Sequence, residues 1–308
     1  MPTADDAPRP VPTHTAVGSV RSGRRAPALV IALLASVGVW VTFWVFVTTR
    51  TGQLVEQAAF DGARYGRGEL WQLAEPVLRV ISVPFIALVL IAAMTLAALR
   101  RRPLLALQVA ILMGGSNLTT QVLKHGLLTR PDLSVGDRLS NALPSGHTTA
   151  AASVAAALLF VVPRRLRPAA AVLGAIYTAA TGISTLVGRW HRPSDAVAAV
   201  LVVVAWAALA SALGAGRGPV ATREPAGETV AVASLLGVGG VFAGIGAALA
   251  MRQTVADLPQ GLESRGELLT AYGGGALGIA SVVCLAFCVL LVMRHTAEPR
   301  AVDRRGLT

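Results

Sequence analysis

Three short segments of the chain carry side chains suited to chemistry on a phosphate group. The first reads Lys124-His125-Gly126-Leu127-Leu128-Thr129-Arg130-Pro131, and the second Pro144-Ser145-Gly146-His147. The third runs from Ser184 to Asp195 and contains Arg189, His191 and Arg192. His191 stands four residues before Asp195. A carboxylate at that spacing can bond one imidazole nitrogen and leave the other free as a nucleophile or base. His147 can then protonate a leaving group. Lys124, Arg130 and Arg189 supply fixed positive charge, and guanidinium groups suit bidentate phosphate contacts. Ser145 and Ser194 read as helix N-caps. A helix N-terminus offers free N–H groups to an anion, and Gly146 lets the backbone approach closely. His125 reads as loop filler. His147, His191 and Asp195 are also metal-ligating types. With no second carboxylate or Cys nearby, no metal and no other cofactor is assigned.

The elements that position these segments follow from composition. Of 308 residues, 54% are hydrophobic and 14% charged, and the mean hydropathy is +0.63. Soluble domains carry about 25% charged residues. An ordinary soluble enzyme and a disordered chain are therefore both excluded. The two cysteines, Cys284 and Cys288, share one apolar run, which excludes a disulfide scaffold or a Cys-rich zinc module. About 20 apolar residues cross a bilayer. Eight runs qualify, near 28–49, 77–99, 104–123, 147–162, 169–188, 194–214, 229–250 and 270–293. Backbone groups in lipid must be bonded internally, which makes these runs helices; the alternation of a membrane barrel is absent. The expected fold is an all-α polytopic bundle: a six-helix core over 28–214 and a two-helix extension over 229–293. Residues 1–27 read as a disordered tail and 294–308 as a second tail. The first span is full length and follows a long polar segment, so it reads as a retained span rather than a cleaved signal.

Charge sets the orientation. With the N-terminus inside, the inside segments hold sixteen basic residues against six acids. The outside segments hold ten of each, and Arg79 at a span edge completes the net +11. The charge is thus a topology signal, and no nucleic-acid partner is implied. Both termini are expected in the cytoplasm. The three motif segments then cluster outside, where basic residues need a local reason.

The three motifs in order resemble the type-2 phosphatidic-acid phosphatase family of membrane lipid phosphatases. That family's pattern is Lys, six residues, Arg-Pro; then Pro-Ser-Gly-His; then Ser-Arg, five residues, His, three residues, Asp. Pro144–His147 matches the second part fully, and Ser184, His191 and Asp195 match the third. The resemblance covers roughly 28–214. It implies that His191 attacks phosphorus to form a phosphohistidine, that Asp195 orients it, and that His147 protonates the leaving oxygen. Lys124, Arg130, Ser145 and the Gly146 N–H would hold the phosphate oxygens, without a metal. Two departures stand out. Five residues, not six, separate Lys124 from Arg130, and Thr185 occupies the place of an Arg. If the fifth span continues to residue 189, Arg189 lies one turn beyond Thr185 on the same face and can replace the missing ligand. Arg192 is the second candidate.

The resemblance implies hydrolysis of a lipid phosphate or diphosphate at the extracytoplasmic face of the cytoplasmic membrane. Polyprenyl diphosphates or phosphates, phosphatidic acid and phosphatidylglycerol phosphate are the substrates it favours. Arg- and Ala-rich stretches with a single Lys point to a GC-rich bacterial genome and a cell-envelope precursor. Two alternatives stay open: a phosphotransferase using the same phosphohistidine, and a degenerate protein that binds or transports lipid headgroups. In the last two spans, Gly240-x-x-x-Gly244 and Gly274-x-x-x-Gly278 permit close helix contact. That contact is either packing within the chain or a homo-oligomer interface. Trp40, Trp44, Trp71 and Trp190 read as interfacial anchors.

Overall fold

A computed structural model of the chain describes residues 15–80, Leu88, Ile91, Ala92, Thr95, 101–136, 140–214 and 227–296. It is an all-α polytopic bundle, with nine α-helices and no strand among the described residues. They are α1 (Thr15–Phe46), α2 (Arg50–Gly62), α3 (Arg67–Val80), α4 (Pro103–Val122), α5 (Gly146–Val161), α6 (Arg167–Val187), α7 (Pro193–Gly214), α8 (Gly227–Asp257) and α9 (Arg265–Thr296). Among the described residues, six segments are long and apolar enough to cross a membrane: Arg25–Phe46, Pro103–Leu127, Arg164–Val187, Pro193–Gly214, Gly227–Gln260 and Arg265–Thr296. The run expected at 77–99 lies outside the described residues, apart from the end of α3 and four isolated positions.

α5 is the shortest apolar helix, yet it is the most enclosed. Ala150, Ala151, Ala152, Ala155, Ala156, Ala157, Leu159 and Phe160 are all buried. Alanine faces let α4, α6 and α7 close around it. Outward-facing surfaces differ sharply: Leu33, Trp44, Leu118, Leu173, Leu235 and Phe242 are exposed, as lipid-facing positions would be. α5 and α7 both begin at one end of the bundle, where α6 terminates, so all three motif segments meet there.

α8 and α9 pack on each other and on the core. Among the described residues, a Cβ on Gly240 would meet Leu285 at 2.9 Å, and one on Gly274 would meet Ala250 at 2.7 Å. Of the two Gly-x-x-x-Gly pairs, these faces at least are used within the chain. Phe287 of α9 is buried against Gly174 of α6.

The helix α2 corresponds to no expected span. It is capped by Thr49, whose hydroxyl accepts the Gly52 N–H at 3.0 Å. Its buried face carries Gln53, Glu56, Ala59 and Phe60. Behind it, Ala58 and Ala59 pack on Leu268 and Ala271 of α9, and Gly62 lies directly against the Leu268 carbonyl. The outer helix is therefore wedged between the motif loops and the last helix.

Candidate active site

Ser145 caps α5, as its sequence position implies: its hydroxyl accepts the Thr148 N–H at 3.4 Å and the Thr148 hydroxyl at 3.1 Å. Its own N–H donates to the Asp195 carbonyl at 2.8 Å. That bond ties the start of α5 to the start of α7. The preceding Leu143–Pro144 peptide is cis. His147 stands in the first turn of α5, with its ring 5.5 Å from that of Trp190. It lies within electrostatic range of His191 and Lys124. Lys124 itself is half-buried in a single π-helical turn, Leu123–Leu127. Such turns recur at functional sites, and here one winds the segment between the first Lys and Arg130.

His191 and Asp195 form the centre. Nδ1 of His191 lies 3.0 Å from Oδ2 of Asp195, and the residues are 7% and 3% exposed. The same oxygen accepts the Arg192 N–H at 3.0 Å. Asp195 is the third residue of α7 and reaches back over the helix start, as an acid in a capping box does. One carboxylate thus orients the imidazole and satisfies a helix N-terminus. Ser194 differs from its expected role. α7 starts at Pro193, whose fixed φ suits the first helical position, so Ser194 lies inside the first turn. Its hydroxyl and N–H both go to Glu56, at 2.5 and 3.1 Å.

The connection from α6 to α7 also departs from expectation. The fifth span does not continue to residue 189; α6 ends at Val187 and Gly188. Arg189 then takes φ +58°, its N–H donating to Leu186 O and the Trp190 N–H to Thr185 O, both at 2.9 Å. This is a Schellman turn with Arg where Gly is usual, at a cost of roughly 1 kcal/mol. Glycine stands one residue earlier because a Cβ on Gly188 would meet the Trp71 ring at 2.8 Å. Thr185 is fully buried and its hydroxyl bonds Gly182 O at 2.7 Å. Its carbonyl also receives the His191 N–H at 3.2 Å.

Three arginines surround this centre in different states. Arg189 donates to Asp61 at 2.8 Å, and its guanidinium lies 4.7 Å from the Phe60 ring centroid. Arg192 is 5% exposed and donates to the neutral Gln57 amide oxygen at 3.0 Å. Arg130 has a buried Nη2 with no hydrogen-bond partner among the described residues. Burial, and next the neighbouring charge of Arg192, hold the Arg130 guanidinium below its ordinary value. Two guanidinium groups are thus held near each other, with only Glu56 and Asp195 acting oppositely on Arg130. Among the described residues, no three His, Cys, Asp or Glu groups converge as a metal site requires.

Sequence reasoning missed the α2 side of this site. Gln53 donates to Pro131 O at 3.0 Å and to Val47 O at 2.8 Å, which pins the loop beside Arg130. Gln57 holds Arg192, Asp61 holds Arg189, and Glu56 holds Ser194. Residues 53, 56, 57, 60 and 61 form one helical face by their spacing. That spacing is the signal a search for long apolar runs passes over. Trp190 also does more than anchor. It stacks edge-on with Trp71 at 5.7 Å and flanks His147.

Residues 34–218 match the family model of the PAP2 superfamily, which covers more than half of the chain. The chain belongs to this family, the type-2 phosphatidic-acid phosphatases, and membership supports a membrane hydrolase of the phosphatase type. No curated protein and no solved structure matches the chain.

Proposed function

We propose that this protein hydrolyses a lipid phosphate or diphosphate through a phosphohistidine on His191, at the end of the bundle where α5 and α7 begin. The observation that carries the reading is the pairing of an oriented imidazole with buried, under-compensated positive charge. Asp195 holds Nδ1 of His191, which leaves Nε2 to attack phosphorus. Among the described residues, Arg130 has a buried donor without a hydrogen-bond partner, and the Arg192 guanidinium donates to a neutral amide. A phosphate would complete both.

In the first step Nε2 bonds to phosphorus while the bond to the leaving alkoxide or phosphate breaks. His147 protonates the departing oxygen. Water then attacks the phosphohistidine, His147 takes its proton, and inorganic phosphate leaves with His191 restored. The N–H of Gly146 and the capped start of α5 stabilise the anion. Among the described residues, a Cβ on Gly146 would have Gln121 Nε2 as its nearest neighbour, at 4.0 Å, which leaves room for a phosphate oxygen. Lys124 adds charge on the His147 side.

For the ligand that Thr185 cannot supply, the reading favours Arg192 over Arg189, because Asp61 already compensates Arg189. The charge asymmetry of the loops supports reading the site as extracytoplasmic, at headgroup depth. The family's substrate classes then apply: polyprenyl diphosphates or phosphates, phosphatidic acid and phosphatidylglycerol phosphate.

The test is phosphate release by purified protein from a panel of these lipids, with chelator present, compared with His191→Ala. Release that survives chelator and vanishes in the variant supports the reading. Chelator-sensitive release, or release undiminished in the variant, overturns the histidine mechanism.

A further inference from the structure

Glu56 is a buried carboxyl in the site that the reaction above leaves idle. It is 3% exposed, and it spends both oxygens on one residue, accepting the Ser194 N–H at 3.1 Å and the Ser194 hydroxyl at 2.5 Å. Ser194 is flanked by Pro193, which starts α7, and by Asp195, which holds His191. Glu56 therefore grips the first turn of α7 from the outer helix, one residue away from the carboxylate that orients the imidazole.

Its surroundings are lopsided. On one side lies an apolar cavity of about 280 Å³, walled by α1, α2, α7, α8 and α9. Thr42, Phe46, Val197, Met251, Thr254 and Gly275 are among its lining residues, and none from α1, α7, α8 or α9 ionises. On the other side stand the charged groups of the site: Asp195 on α7, Arg192 before it, and Arg130 on the loop after the π-helical turn.

We propose that Glu56 is a positioning residue for the His191–Asp195 pair, acting through Ser194 and through the charge it places beside Asp195. This rests on the phosphohistidine reading. Burial in this cavity wall, and next the charge of Asp195, push its carboxyl up to about 7. Around neutrality Glu56 therefore exchanges between two states that differ in what they do to its neighbours. Protonated, it can donate to the Ser194 hydroxyl and adds no charge. Ionised, it accepts from that hydroxyl and places a second negative charge beside Asp195. In that state the first turn of α7 is gripped by an acceptor, and the carboxylate that holds His191 carries a second negative charge beside it.

The experiment uses the full-length protein in detergent micelles. The ring resonances of ¹⁵N-labelled His191 report its bond to Asp195, and kcat and KM on a lipid phosphate are measured against pH, in wild type, Glu56→Gln and Glu56→Ala. Glu56→Gln cannot ionise, so its kcat is expected to lose the change around neutrality that Glu56 imposes in wild type, and KM should hold. Glu56→Ala, which also loses the grip on Ser194, is expected to shift the His191 ring resonances and to lower kcat about tenfold. Folded variants that leave the His191 resonances and the pH profile unmoved overturn the proposal. If Glu56→Ala does not fold, Glu56→Gln decides. If the wild type releases no phosphate from any lipid, the phosphatase reading fails, while the His191 resonances still decide the role of Glu56.

Discussion

The two ends of the short turn between α6 and α7 carry the same side chain in opposite circumstances. Arg189, at the near end, sits in a left-handed backbone conformation and is about one-third exposed. It is neutralised by Asp61. Arg192, at the far end, is buried, held only by an amide, and close enough to Arg130 to act on it electrostatically. α2 provides both partners, a carboxylate for one and an amide for the other. The difference is one of pairing: Arg189 bonds directly to a carboxylate, while the Arg192 guanidinium bonds to an amide and meets the charge of Glu56 only at a distance.

The comparison can be broken or sharpened in four ways, from the largest effect downward. The far end houses the buried acid, so pH should act there. With its carboxyl raised from 4.5 to about 7 in the folded state, Glu56 binds its proton more tightly folded than unfolded. Its contribution is full below pH 4.5 and is lost as pH rises through 7, by about 3 kcal/mol. Melting temperatures of wild type and E56Q between pH 4.5 and 8 should therefore converge at low pH and separate at high pH, with E56Q the more stable; parallel curves would remove this buried charge from the account. Next, Arg192→Gln should lower kcat/KM for a lipid phosphate about a hundredfold, as loss of one anion-stabilising donor does. Arg189→Gln should lower it far less. Equal losses, or the reverse order, would return the ligand role to Arg189.

A third effect tests the turn that separates the two ends. Gly188→Ala forces a methyl group onto Trp71 and should destabilise the protein by about 1–3 kcal/mol, read as a lower melting temperature. Wild-type melting would mean that Trp71 is free to move aside. Smallest is Arg189→Gly. It relieves the left-handed strain but removes an ion pair of half-exposed partners, each worth about 1 kcal/mol or less. The melting temperature should barely move. A large drop would show that the Asp61 pair holds α2 in place.

How much of this was legible in the sequence depends on what kind of signal each part leaves. The apolar runs leave one that length alone detects, and α1 and α4 to α9 fall on them. The capping role of Ser145 was also legible, because a polar residue before a long apolar run has few other uses. Ser194 was misjudged because the proline before it can itself open a helix. The end of the fifth span at 188 was legible, but the left-handed turn that follows was not, because Gly188 does not occupy the left-handed position; it is spent on the Trp71 ring instead. α2 left no apolar run at all. Its thirteen residues matter through polar side chains aimed at loops distant in sequence, such as Gln53 on Pro131 and Glu56 on Ser194. Partners of that kind become evident only once the chain is folded.

The contact of Gly62 with the Leu268 carbonyl, together with Ala58 and Ala59 on Ala271, bears on how this chain could be cut. The family match stops at residue 218, which invites excision of everything beyond it as a dispensable appendix. Yet the outer helix α2, which bonds to the start of α7, leans on α9, beyond the matched segment. The segment shared with the family is thus an evolutionary unit without being a mechanical one. In a chimera that carried 34–218 alone, α2 would have lost its backstop, and a relative without the last two helices must brace its own motif loops by other means.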